Sequence, residues 1–476
     1  MGAASDVFDR ARDLFGRATA RALSRRSARY HDYHSNPLDE DQAYSFGSAF
    51  EERVSPLAPQ MSVPGGGAVL LGLRLTTKGL GYVRDPYVEL CGQDGSTVRQ
   101  YVERGVAGLR YINVTALAGH DGVTLSLSDL TLLEPTAHWV VSPHPMHEGP
   151  LLIVAPHPDD AELSSFGLYA DADTWVVTVC AGEVGTHDYG GLFSADEAGA
   201  LLRGRLRVAE SLSAPVAGGV PKERIANLGY FDGSLTGMCF ERDRPARSAG
   251  TGSRDLGLFR AAGDAALLPP RSDATWDGLV ADLVHLLEHT KAATVTFPHP
   301  VLDHHSDHAC LGLAVLEAVR RANHKPECLL AYAVHGPGGG KGASIHPVGP
   351  RGGSVGLPPG KHPTPLFDGL YSVPLSPALL RRKALALDTY RDLKDEEGPL
   401  PVEAVGTRVK RGLREVYRAF VVYDLGLVRR FLRPNELFYV LDPHRLAHWE
   451  HAFAAHVRAR FEGPHTGGSA LIPELT

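Results

Sequence analysis

The run Leu151-Leu152-Ile153-Val154-Ala155 passes directly into His157-Pro158-Asp159-Asp160-Ala161. Five aliphatic residues in a row read as a strand buried on both faces, as in parallel sheets. Sheets of that kind carry their chemistry just past the carboxyl ends of the strands. An imidazole and two adjacent carboxylates at a buried strand tip are costly to desolvate unless they are paired or hold a cation. The tip therefore points to a metal site.

A second cluster, Asp303-His304-His305-Ser306-Asp307-His308, follows another strand-like run, Ala293-Thr294-Val295-Thr296-Phe297, and the turn Pro298-His299-Pro300. Zn²⁺ takes imidazole nitrogen and carboxylate oxygen, and a catalytic site keeps three protein ligands and one open position. His157, Asp160 and His308 form one set with that count, leaving Asp159 and His305 for proton work. On spacing alone His299 or His304 could replace a ligand. Asp160 also suits the N-terminus of a helix starting near Ala161.

Several segments in order resemble the LmbE-like (PIG-L) zinc-dependent N-deacetylases. Ala155 to Leu163 resembles the family's first loop and His305-Ser306-Asp307-His308 its HxDH motif. Arg207-Val208-Ala209-Glu210 resembles the RxxE helix, Gly229 to Gly233 a sugar-contacting loop, and Lys383 to Tyr390 a late family helix. The likeness covers about residues 150 to 440. It departs from the family in an insertion-like stretch from Met238 to Trp276 and a Gly/Pro-rich segment from Gly336 to Pro365. Asp303 stands where some relatives have a tyrosine.

The resemblance implies a Rossmann-like parallel sheet and removal of an acetyl group from an N-acetylglucosamine-type sugar in a glycan, glycolipid or glycoconjugate. It implies Zn²⁺, with Fe²⁺ or another divalent ion as alternatives, on His157, Asp160 and His308. Asp159 would be the general base. His305, held cationic, would stabilise the oxyanion, and Asp307 would fix its tautomer. Arg207 and Asp232 would bind the sugar, although Arg207 with Glu210 is equally an i,i+3 helix pair. Glu183, Asp188 and Tyr189 are weaker pocket candidates. Two rival readings are an amidase acting on a thiol or antibiotic conjugate, and a sugar-binding protein without catalysis.

The expected fold class is α/β: a Rossmann-like sheet with helices on both faces, preceded by a β-sandwich and an N-terminal helix. The expected boundaries are 1–44 for the helix and linker, 45–140 for the jelly-roll-like accessory unit, and 150–476 for the catalytic unit with helical C-terminal segments at Pro377–Leu393, Val409–Val416 and Pro443–Phe461. Residues 142–146 read as a linker. In the β-rich stretch, Tyr82, Tyr87, Tyr101 and Tyr111 could stack on sugars, though core or edge packing is commoner for such residues. Residues 4–30 show helical apolar spacing with seven Arg against three Asp. Such a helix either touches an anionic membrane or packs on the body or on another subunit of a homo-oligomer.

With 476 residues, 43% of them hydrophobic, the chain can fill large cores, and its net charge of −7 gives no reason to expect nucleic acid. Five scattered cysteines without a CxxC fit a reducing compartment. No signal-peptide core or membrane-length apolar run is evident, so a cytoplasmic protein, peripheral to the membrane at most, is expected.

Overall fold

The computed structural model describes residues 41–82, 84–143, 149–184, 193–194, 196–269, 273–336, 344–345, 352–358, 360–393 and 431–461. The helices expected at 4–30 and 409–416, and the pocket candidates Asp188 and Tyr189, lie outside these residues.

One eight-stranded sheet organises the larger unit. Its spatial order is Ala261–Ala262, Ile225–Tyr230, Thr174–Cys180, Leu151–Ala155, Thr294–Pro298, Cys328–Tyr332, Asn435–Leu441, Gly369–Pro374. The five strands from Ile225–Tyr230 to Cys328–Tyr332 are parallel. Every residue of Leu151–Ala155, Ile225–Tyr230, Thr294–Pro298 and Cys328–Tyr332 is buried, which explains their largely apolar composition. From the central Leu151–Ala155 the chain first adds strands on one side, then returns to add Thr294–Pro298 on the other. The direction of winding thus reverses between the two strands whose tips carry the His/Asp clusters, where open α/β sheets bind ligands.

Helices follow these strands with ordinary caps. Asp196 accepts from Gly199 N at the start of Glu197–Ser213 (2.9 Å), and Thr275 from Gly278 N before Trp276–Thr290 (3.1 Å). Among the described residues no helix is long and apolar enough to cross a membrane.

The C-terminal part differs from expectation. Gly369–Pro374 and Asn435–Leu441 are antiparallel strands on one side of the sheet, where helices alone were expected. Asn-Glu-Leu-Phe-Tyr-Val-Leu is buried along its whole length, and a short apolar run of that kind lacks the periodicity that separates strand from helix. The expected helix at 377–393 ends at Leu387 and continues as a separate turn at Arg391–Leu393. The one expected at 443–461 starts its α-helical part at Leu446.

Ahead of this unit lie two antiparallel sheets. One contains Glu51–Pro56, Thr136–Pro143, Gly67–Thr77 and Ala107–Asn113, with Leu130–Leu132 beside Gly67–Thr77; the other contains Thr97–Tyr101, Tyr87–Cys91 and Thr124–Ser128. Val69, Leu71, Leu73 and Leu75 join Val88, Leu90 and Ile112 in a shared core. The alternate residues Ala68 and Leu70 belong instead to the core of the α/β unit, so the period-2 pattern of one strand serves two cores. The expected linker begins inside a strand: Thr136–Pro143 runs through Ser142, whose Oγ accepts from Leu370 N (2.7 Å).

Candidate metal centre

Three side chains from the two strand tips converge. His157 Nδ1 lies 3.2 Å from His308 Nε2 and 3.3 Å from Asp160 Oδ2, and His308 Nε2 lies 3.1 Å from Asp160 Oδ2. Bonds of about 2.0–2.1 Å to a tetrahedral ion place neighbouring ligand atoms about 3.3–3.4 Å apart. The triangle therefore has the size of one face of a zinc tetrahedron. His157 stands just past its strand, Asp160 opens the helix Asp160–Tyr169, and His308 lies in the first turn of Ser306–Arg321.

The outer nitrogens of both imidazoles meet carboxylates, which frees the inner ones. His308 Nδ1 is 3.0 Å from Asp303 Oδ2, and His157 Nε2 is 3.3 Å from both Asp307 Oδ2 and Asp232 Oδ1. Protons held on these outer atoms leave lone pairs facing the triangle.

The electrostatics agree. Burial opposes charge on both rings, yet the surrounding carboxylates win. Asp160, Asp232 and Asp307 lift His157 well above its ordinary pKa, and Asp160 and Asp303 push His308 up to about 9. Burial acts to raise Asp160, but the same two rings hold it well below the usual carboxylate range. This environment calls for positive charge at the triangle, and a divalent cation supplies it once those protons leave. The donor set therefore fits a metal ion.

Asp159 sits at the rim in an uncommon backbone conformation, φ 108°, costly for a residue other than glycine. Burial and the neighbouring Asp160 push its carboxyl up to about 7 against the pull of Arg207 and His157.

Arg207, expected to bind the sugar, makes its contacts with protein groups. It is buried, donates to Pro158 O (2.7 Å), lies 3.5 Å from Asp159 Oδ2 and pairs with Asp392. Gly182, at φ 70°, leaves it room, because a Cβ there would come 2.5 Å from Arg207 Nε. The guanidinium thus braces the loop that carries Asp159. Asp232 does keep an open side: its side chain is 21% exposed. Its backbone N–H is held by the buried Glu183 (3.1 Å), which also accepts from Ser248 Oγ (2.7 Å) and is pushed by burial up to about 7.

Two other expectations change. Burial, aided by His308, His157 and His335, lowers the His305 pKa well below its ordinary value, which disfavours the cationic ring expected for it. Its ring centroid is 4.9 Å from those of both His157 and His308, and its Nδ1 is buried without a hydrogen bond among the described residues. Asp307 does not fix that ring. Its oxygens accept from Gly233 N (2.8 Å) and Leu235 N (3.1 Å) and face His157.

His299 is spent on Leu366 O and on the N–H groups of Val301 and Leu302. Neither it nor His304 belongs to a group of donors close enough to share an ion. Sequence reasoning missed His335 and the role of Asp303. His335 lies three residues beyond the strand Cys328–Tyr332, so the strand-tip rule that found the two clusters could have found it.

Residues 152–319, which hold both clusters, match the family model described as PIG-L: GlcNAc-PI de-N-acetylase. No curated protein matches the chain. Among solved structures, the zinc-inhibited form of teicoplanin deacetylase Orf2 is similar at 17% identity, over 61% of this chain and 97% of that one, with a TM-score of 0.32. GalB, the 4-carboxy-2-hydroxymuconate hydratase of Pseudomonas putida KT2440, is similar at 12% identity, over 61% and 95%, with a TM-score of 0.30. At these scores neither likeness speaks to the activity of this chain.

Proposed function

We propose that the chain is a metal-dependent hydrolase that removes the N-acetyl group from an N-acetylglucosamine-type amino sugar on a glycan, glycolipid or glycoconjugate. The triangle of His157 Nδ1, Asp160 Oδ2 and His308 Nε2 carries the metal half of this reading. The substrate half rests on the family match over residues 152–319. For the fold, the five-strand parallel order supports a Rossmann-like catalytic unit over 150–476. The core shared by two antiparallel sheets supports a β-sandwich accessory unit over 45–140.

Zn²⁺ held by His157, Asp160 and His308, or Fe²⁺ or another divalent ion in its place, would acidify a water and polarise the acetamide carbonyl. Asp159, poised near neutrality, takes a proton from the attacking water as its oxygen bonds to the carbonyl carbon. It returns that proton to the nitrogen as the C–N bond breaks, giving acetate and a free amine. Neutral His305 donates a ring N–H to the carbonyl oxygen, and Asp232 meets sugar hydroxyls with its exposed side. Arg207 and Asp307 position Asp159 and His157.

Acetate release from a panel of N-acetylhexosamine glycans and glycolipids tests this. Metal-loaded protein should release acetate, and Asp159→Asn should lose about 10²–10⁴-fold in rate with its metal content unchanged. Protein that carries one ion per chain and releases acetate from no substrate would overturn the deacetylase assignment.

A further inference from the structure

Four imidazoles form or flank the triangle, and the proposed reaction uses three, His157, His308 and His305. The fourth, His335, comes from a third strand tip on the same edge of the sheet, past Cys328–Tyr332, which pairs in parallel with Thr294–Pro298. Its main chain is anchored to the site. Val334 N and His335 N donate to Asp303 Oδ2 at 2.7 and 3.3 Å, the oxygen that also meets His308 Nδ1. His335 O accepts from His304 N (2.9 Å).

The ring lies against the metal-site histidines. Its centroid is 4.7 Å from that of His308, edge to face at 74°, and 5.2 Å from that of His305. The donor atoms of Asp160, His308 and His335 all lie within 4.8 Å of one another. His335 Nδ1 is buried and makes no hydrogen bond among the described residues. A buried ring nitrogen without a partner is costly, and in a native site it calls for a ligand, ion or water.

We propose that His335 is a fourth protein ligand, which takes the coordination position that His157, Asp160 and His308 leave open. The inference rests on the metal reading of the triangle. Tetrahedral ligand atoms sit about 3.3–3.4 Å apart, so a His335 ring nitrogen within 4.8 Å of the Asp160 and His308 donors must close on those two by roughly 1.5 Å at most. With the backbone anchored on Asp303, that movement would have to come from a rotation of the side chain. The resting site is then closed, and the water and the substrate of the proposed reaction reach the ion by displacing the His335 imidazole.

X-ray absorption of the Zn²⁺-loaded wild-type protein counts imidazole ligands by their outer-shell scattering. Three are expected in wild type and two in His335→Ala. Two in wild type, or three in both proteins, overturns the assignment. Co²⁺-loaded protein gives a second readout: His335→Ala should bind the ion about tenfold or more weakly by chelator competition. It should also shift the visible Co²⁺ bands, and free imidazole should restore them, which a ring that only packs on His308 would not require. Unchanged affinity and bands, in a variant that melts like wild type, refute the proposal; His335→Gln serves if the alanine variant does not fold. A wild-type protein that takes up no ion overturns the metal reading itself, whereas two imidazoles overturn only the role of His335.

Discussion

Arg207→Met separates bracing from sugar binding. The methionine keeps much of the aliphatic stem and removes the charge. Asp392 would then be left buried and unpaired, since the two side chains are only 9% and 7% exposed. Breaking a buried ion pair from one side costs about 3–5 kcal/mol. Urea denaturation of Arg207→Met, Asp392→Leu and the double variant should show that large loss in Arg207→Met and recovery of much of it in the double variant. Kinetics provide the second arm. Arg207 also holds Pro158 O at 2.7 Å and pulls the Asp159 carboxyl down against its burial. Without that positive charge the Asp159 pKa rises. A general base works in its ionised form, so the acidic limb of kcat/KM must move to higher pH while kcat falls and KM changes little. A raised KM with kcat, stability and pH limb all unmoved would refute bracing and return Arg207 to the sugar.

Asp303→Asn should weaken metal binding about 10–100-fold by chelator competition, because the carboxylate that fixes the His308 tautomer is lost. Lys383→Met should cost about 3–5 kcal/mol in denaturant unfolding, because Lys383 is paired with buried Glu436 at 2.7 Å; adding Glu436→Gln should recover much of it. Glu162 is buried beneath Tyr169 and Tyr390, and burial pushes its carboxyl up to about 7 from 4.5. The folded state therefore binds more protons than the unfolded state between those values, and its stability falls as pH rises through that window. Glu162→Gln should flatten this part of the stability–pH curve, measured by urea unfolding at pH 5 and 7.5; an unchanged slope would contradict it.

The parts of the site legible in the sequence are those fixed by short-range geometry. A strand buried on both faces declares itself by composition, and the residues just past its end must lie at the sheet edge, so His157, Asp160 and His308 were within reach. Contacts set by the docking of distant segments were not. The resemblance implies that Asp307 fixes the His305 tautomer. Yet Asp307 lies inside the helix Ser306–Arg321 and His305 precedes it, and residues so spaced do not face each other. The partner His308 does have, Asp303, comes from the loop folding back ahead of that helix.

Arg207 and Glu210 also reach a segment nearly two hundred positions later, beyond anything their i,i+3 spacing implies. Three consecutive residues there each grip a different part of the site. Tyr390 Oη donates to Glu162 (2.5 Å), Arg391 N donates to Glu210 (3.1 Å), and Asp392 pairs with Arg207. The late helix that begins at Pro377 thus ends as a clasp across the Asp159 loop and the Arg207 helix. Its distance in sequence hides all three contacts from pattern reading. Asp159 keeps its costly backbone geometry because that clasp, through Arg207 and Pro158, holds the loop from behind.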